Sequence, residues 1–247
     1  MKTEILYGIH PVYEVLASRR RNIHEIYLQK DNKSSRLDRL ASLATHRGIR
    51  VKTVGSGDLK ALVGADGHQG AAARVGLYPL TAISDILAAA EAKGGRHFLL
   101  MLDNVLDPQN LGAIIRTALC VGIDGVIMPK DHSAPPTPAV SKASAGALEH
   151  ILLSRVTNLV QTIKHCKKSG LWVMGLDKEA ERSIYDGDMT GSIAIVLGGE
   201  QKGIRPLVKK NCDFLVSIPQ LGALDSLNAS VAAAVAMYEA VRQRTAK

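Results

Sequence analysis

Aromatic side chains are scarce in this sequence: one Trp and two Phe stand among 247 residues, and aromatics make up 4% of the chain. That excludes RNA recognition by a broad stacking platform, which needs several exposed rings. Leu, Ile, Val and Ala must therefore fill the core. Cysteine is almost as rare. Cys120, Cys166 and Cys212 are odd in number, far apart and without a Cys-x-x-Cys or Cys/His pattern, so neither a disulfide framework nor a metal site is expected. No apolar run approaches the ~20 residues of a membrane helix, and residues 1–10 hold no signal-peptide core, so a cytoplasmic protein is expected. Nucleotide signatures are missing too. There is no G-x-G-x-x-G after the first strand and no G-x-x-x-x-G-K-[ST], which argues against a dinucleotide fold or a P-loop.

What is present is an ordinary globular composition, 46% hydrophobic and 22% charged, with a net charge of +8. The charge is uneven. Residues 1–75 hold 13 Lys/Arg against 7 Asp/Glu, while the other 172 residues hold 18 against 16. The excess includes Arg19-Arg20-Arg21 and the cluster Lys30, Lys33, Arg36, Arg39. Such an excess suits a phosphate-rich partner, and it equally suits a solvated face.

Periodicity divides the chain. Over residues 1–76 short elements alternate: helices are expected at Pro11–Ser18, Arg36–Arg47 and Ser56–Val63, and strands at Ile23–Leu28, Arg50–Val54 and Ala71–Leu77. Residues 77–96 read as a linker with one short helix, Ile83–Ala92. Residues 97–247 alternate buried-looking strands with helices. The strands are expected at Phe98–Leu102, Gly125–Met128, Ile151–Leu153, Leu171–Leu176, Ile193–Leu197 and Phe214–Ile218, and the helices at Leu111–Val121, Thr157–Lys168 and Ser226–Arg242. Continuous apolar strands between helices predict an α/β fold whose largely parallel sheet is covered on both faces. In such sheets ligands bind beyond the carboxyl ends of the strands.

Three strand-end loops carry polar residues that chemistry could use. The first, Asp103–Ala118, turns at Asp107-Pro108 and enters a helix with Asn110 as the expected cap; Arg116 faces away from that helix's apolar arc. A plain solvent-facing arginine explains that position equally well. In the second, Leu197-Gly198-Gly199-Glu200-Gln201-Lys202-Gly203, a buried strand runs into glycines that permit close approach of a ligand, or simply form a tight turn. The third, Ile218–Ser230, enters an Ala-rich helix; Ser226 or Asp225 is the expected cap, and Asn228 and Ser230 call for polar partners. Beyond them Val231, Ala234, Val235, Tyr238 and Val241 form an apolar surface that needs a cover, in this chain or in a second copy.

Taken together, these loops resemble the SpoU/TrmH family of RNA 2′-O-methyltransferases in the SPOUT superfamily. Asn110-x-Gly112-x-x-x-Arg116-Thr117-Ala118 is similar to its first motif, Gly198-x-Glu200-x-x-Gly203 to its second, and Ser226-Leu227-Asn228-x-Ser230 to its third. Further segments are similar to members that modify a guanosine of 23S ribosomal RNA: Tyr7-Gly8-Ile9-His10-Pro11-Val12, His68-Gln69-Gly70, and Thr137-Pro138-x-Val140-x-Lys142-x-Ser144-Ala145-Gly146-Ala147. His132 departs from the pattern, since relatives commonly carry an arginine there.

The resemblance implies a parallel-sheet SPOUT methyltransferase domain with a C-terminal trefoil knot, preceded by a small L30e-like α/β domain that binds RNA. It implies S-adenosyl-L-methionine as cofactor, held at Leu197, Gly198, Gly199, Ile218 and Leu227. Arg116, Asn110, Glu200, Ser226 and Asn228 are the implied catalytic residues. No metal and no membrane are implied, and the partners are large-subunit ribosomal RNA and a second copy of the chain docked through the C-terminal helix. A transfer-RNA ribose as target, or a non-catalytic RNA-binding role on the same scaffold, stays open at this point. No catalytic role falls to the histidines; His10, His68 and His132 read as structural or RNA-facing.

Overall fold

Strands buried on both faces need helices on both sides, and the computed structural model builds that arrangement once, together with a separate sheet of a different kind. It describes residues 2–30, 32, 34–65, 67–92, 94–200, 202–224 and 226–246. Lys33, Gln201 and Asp225, each part of a segment singled out above, lie outside the described residues. The chain forms two units, one of residues 1–79 with 136–150, the other of residues 80–135 with 151–247.

The first unit holds β1 (Thr3–Tyr7), α1 (Ile9–Ser18), β2 (Ile23–Gln29), α2 (Ser35–His46), β3 (Val51–Val54), α3 (Ser56–Val63) and β4 (Ala71–Gly76). Its sheet runs β1-β4-β2-β3, with β4 antiparallel to both neighbours and β2 parallel to β3. Strand β1 was not expected from the sequence. It is an edge strand in which only Leu6 is buried, so it lacks a full apolar alternation. Leu6, Val12, Leu16, Ile26, Leu40 and Val75 form the core. Residues 136–150 complete this unit with α6 (Pro138–Ala143) and one 3-10 turn. Here Glu149, buried to 1% exposure, accepts bonds from Arg21 Nη1 at 3.2 and 3.3 Å and from Ser141 Oγ at 2.8 Å. Glu4 is a second partner of the same guanidinium.

The second unit holds α4 (Ile83–Glu91), β5 (Phe98–Asp103), α5 (Pro108–Cys120), β6 (Gly125–Pro129), β7 (Leu153–Val156), α7 (Leu159–Lys168), β8 (Trp172–Leu176), β9 (Ile193–Gly198), α8 (Pro206–Asn211), β10 (Phe214–Val216) and α9 (Ala229–Thr245). Its six strands run β10-β8-β9-β5-β6-β7, and every pairing is parallel. Every residue of central β5 is buried.

The two edge strands depart from expectation. Strand β7 begins at Leu153 rather than Ile151 and continues through Ser154 and Arg155, because an edge strand tolerates polar positions that a central one does not. Strand β10 ends at Val216, since Ser217 turns its backbone to residues 182 and 184. Two caps are corrected as well. Asp107, not Asn110, caps α5, because its carboxylate accepts from Gln109 N and Asn110 N and Pro108 favours the first turn. Asn228, not Ser226, caps α9, and the helix accordingly starts at Ala229. No helix among the described residues is long and apolar enough to cross a membrane.

Candidate active site

In a parallel sheet all strands end on the same side. The order β10-β8-β9-β5 therefore sets Val216, Leu176, Gly198 and Asp103 along one edge, and the loops that follow them are neighbours in space though distant in sequence.

The glycines after β9 are there for lack of room. A Cβ on Gly198 would overlap the carbonyl carbon of Gly203, and one on Gly199 would overlap the carbonyl of Asn104. Gly203, with φ +59°, doubles the loop back so that its N–H meets Gly199 O at 2.9 Å. Asp103 clamps this loop at both ends. Its main-chain oxygen accepts from Gly199 N at 2.8 Å, and its fully buried carboxylate accepts from Arg205 N, Nε and Nη2 at 2.9, 2.8 and 2.8 Å. Neither Asp103 nor Arg205 was expected from the sequence, because a single Asp at a strand end carries no pattern that names a partner 102 residues away.

Because Asp107 takes over the capping of α5, the Asn110 side chain is released for other bonds. Its Nδ2 donates to Glu200 Oε1, and its Oδ1 accepts from Asn228 Nδ2 at 3.1 Å. Asn228 is oriented by its own helix, since its Oδ1 accepts from Ser230 N at 2.8 Å and Ser230 Oγ at 2.6 Å. With the oxygen so committed, only the amide nitrogen is left to face Asn110. One residue from each loop thus joins a single bonded chain, Glu200–Asn110–Asn228.

A cleft of ≈ 530 Å³ opens beside this chain, and Leu197, Gly198, Gly199, Glu200, Ile218, Ser226 and Leu227 all line it. Its volume suits a small organic ligand. It also takes in Asp177 and Lys209, bonded at 2.6 Å, which the sequence reading missed; Asp177 follows the end of β8, so the strand-end rule could have found it. Burial alone would raise the Asp177 pKa, but the Lys209 ammonium and the Glu179 amide outweigh it and hold the carboxyl below its ordinary value.

Arg116 is not brought into this chain. It is exposed, and among the described residues it makes no hydrogen bond or ion pair. Helix geometry explains the separation, since six residues of α5 put Arg116 about 120° round and ~9 Å along from Asn110. A second groove, of ≈ 610 Å³, shares Gly199, Glu200 and Lys202 with the cleft and is otherwise edged by Asn104, Leu106, Asp107, His132 and Arg205. No group of His, Cys, Asp and Glu among the described residues could hold a metal ion.

This geometry has relatives. Residues 97–238 match the SpoU rRNA Methylase family, and residues 5–80 match the RNA 2'-O ribose methyltransferase substrate binding family. The chain belongs to the SpoU rRNA methylase family. It is 41% identical over 251 residues to the 23S rRNA (guanosine-2'-O-)-methyltransferase RlmB of Vibrio vulnificus, covering 100% of this chain and 99% of that one. The RlmB of Xanthomonas axonopodis pv. citri is 40% identical over 239 residues, 97% of this chain and 96% of the relative. Among solved structures, the SpoU methyltransferase AviRb of Streptomyces viridochromogenes in complex with AdoMet is similar at a TM-score of 0.80 and 25% identity, over 98% of this chain and 90% of that one. The parallel sheet of this SpoU methylase is thus of the SPOUT type, with a substrate-binding segment before it.

Proposed function

We propose that this chain transfers a methyl group from S-adenosylmethionine to the ribose 2′-hydroxyl of a guanosine in 23S ribosomal RNA. The observation that carries the reading is the bonded chain Glu200–Asn110–Asn228, which ties the first motif loop to the two that line one cleft. The cleft fits the cofactor. The glycine cradle at 198–199 admits a ligand close to main-chain groups, and Leu197, Ile218 and Leu227 offer apolar surface to a purine. When bound, the cofactor supplies a methyl group on a cationic sulfonium, so the reaction needs alignment and exclusion of water rather than a metal.

The chain's own residues have separable tasks in this reading. Leu197, Gly198, Gly199, Ile218 and Leu227 hold the donor; Asn110, Glu200, Ser226 and Asn228 orient the sugar. Arg116 acts on the nucleotide. A guanidinium stays protonated in proteins, so Arg116 serves as a cation that steadies the adjacent phosphate and the developing alkoxide rather than as a base. The protein works as a homodimer. Val231 and Tyr238 of α9 are about half exposed, and Leu221 and Leu224 before it are exposed to 99% and 80%, an apolar surface that a second copy would cover. The cytoplasm, where ribosomal RNA is made and assembled, is the proposed place of action.

Two experiments test this. Mapping of 2′-O-methyl groups in cells lacking the protein should show a single missing mark, on a 23S guanosine; loss of a transfer-RNA mark instead would redirect the substrate. Arg116→Ala should lower turnover by about 10²–10³ with cofactor affinity intact. Near-normal turnover would remove Arg116 from the mechanism.

A further inference from the structure

Three segments that the cofactor cleft does not use come together within the first unit. They are residues 7–12, 68–70 and 137–147, and the last belongs to the methylase-family segment of the chain. Gly8, at φ +99°, leaves room for the Lys142 side chain. A Cβ there would stand 2.6 Å from Lys142 Nζ, 3.1 Å from its Cδ and 3.3 Å from Gln69 Oε1. Gly146 lets the same segment down onto α1, where a Cβ would stand 2.6 Å from Glu14 Cγ and 3.1 Å from the His10 carbonyl oxygen. Gln69 sits in the left-handed region at φ +55°, and its Oε1 accepts from Ile9 N at 3.3 Å. With that oxygen engaged, the amide nitrogen of Gln69 is a donor without a partner among the described residues.

Lys142 is the unusual member. It is half-buried, and burial pulls its pKa below the ordinary lysine value with no carboxylate acting against that pull. Among the described residues it makes no ion pair or hydrogen bond. Glu14, the acid packed against Gly146, is taken by His150 at 2.7 Å. A partly desolvated ammonium without a counter-charge is unfavourable until an anion arrives. The surroundings favour one, because residues 1–75 carry a net positive charge and His10, two residues after Gly8 in the first turn of α1, is exposed.

We propose that Lys142, with the Gln69 amide beside it, seats a backbone phosphate of the RNA substrate. The methylase-family segment thereby supplies a cation to the surface of the substrate-binding segment. This rests on the RNA reading above and deepens it, since it assigns a contact that fixes register without reading sequence.

The test uses the full-length protein and transcribed 23S RNA, with affinity measured between 0.05 and 0.3 M salt. Lys142→Gln should weaken binding by about tenfold at the lowest salt and flatten the log–log salt slope by ~0.7–0.9, the signature of one lost phosphate contact. The KM for RNA should rise while kcat and S-adenosylmethionine affinity hold. Lys142→Arg should restore the slope. An unchanged slope in Lys142→Gln overturns the seat, and so does equal loss of thermal stability in both variants without a slope change, which would mark Lys142 as structural. If wild-type protein methylates no RNA, the functional reading fails instead, and that result is visible before any variant is made.

Discussion

The two units handle buried charge in opposite ways. In the first, the Arg21–Glu149 pair lies inside the unit with side chains 1% and 0% exposed, and it ties residues 136–150 to residues 1–79. Burial lowers the Arg21 pKa, and Glu149 pulls it back up. In the second, central strand β5 is apolar from Phe98 to Leu102, and the buried carboxylate of Asp103 stands where it ends, turned to the loop that carries Glu200. Charge inside the first unit holds distant chain segments together; charge at the strand end of the second fixes the loop that follows β9. A mixed sheet with solvated edges has no common edge of strand ends to concentrate ligands, whereas a parallel sheet does.

That contrast can be broken experimentally. Glu149→Ala leaves the buried Arg21 guanidinium with Glu4 as its remaining carboxylate partner, and a loss of about 3 kcal/mol is expected. Hydrogen exchange should show lost protection at residues 1–79 and 136–150, with cofactor affinity kept; loss spread evenly over both units would erase the distinction. Asp103→Asn keeps the shape but removes the charge facing Arg205, at about 2–3 kcal/mol. Here the damage should be functional, a fall in kcat larger than the rise in KM for RNA, as Glu200 loses its placement. Gly199→Ala should cost about 1–3 kcal/mol, because the new methyl group meets the Asn104 carbonyl. Calorimetry with S-adenosylmethionine should register it as weaker cofactor binding, and unaltered affinity would take the 198–199 cradle out of the site.

The smallest effect concerns the thiols. Burial raises Cys166 to about 11 and Cys212 to about 12, while Cys120 is exposed. A raised pKa keeps a thiol protonated below that value, so at pH 8 a disulfide reagent should titrate Cys120 quickly and the other two only on unfolding. Three fast thiols would show the second unit, which holds all three, to be looser than its packing implies.

Much of this was legible in the chain. The apolar runs at 98–102, 193–197 and 214–218 were expected as strands, and the loops after them carried Asn110, Glu200 and Asn228 in order. Local competition was harder to read. Asp107 displaced Asn110 as the cap because Asp-Pro sets a helix start more firmly, and Asn228 displaced Ser226 by the same kind of contest between adjacent polar residues. Strand β1, with a single buried residue, carried too faint an alternation to be found.

By itself the amino-acid order determined where helices and strands form, which faces are apolar, and that three glycine- and amide-bearing turns follow buried strands, since these depend on neighbours within a few residues. Only the tertiary structure decided that Asn110 meets residues 90 and 118 positions away, that Arg205 locks onto Asp103, and that residues 136–150 join the first unit rather than the second. Hydrogen bonds act over ~3 Å, and which groups come that close is set by strand order and packing rather than by any local pattern.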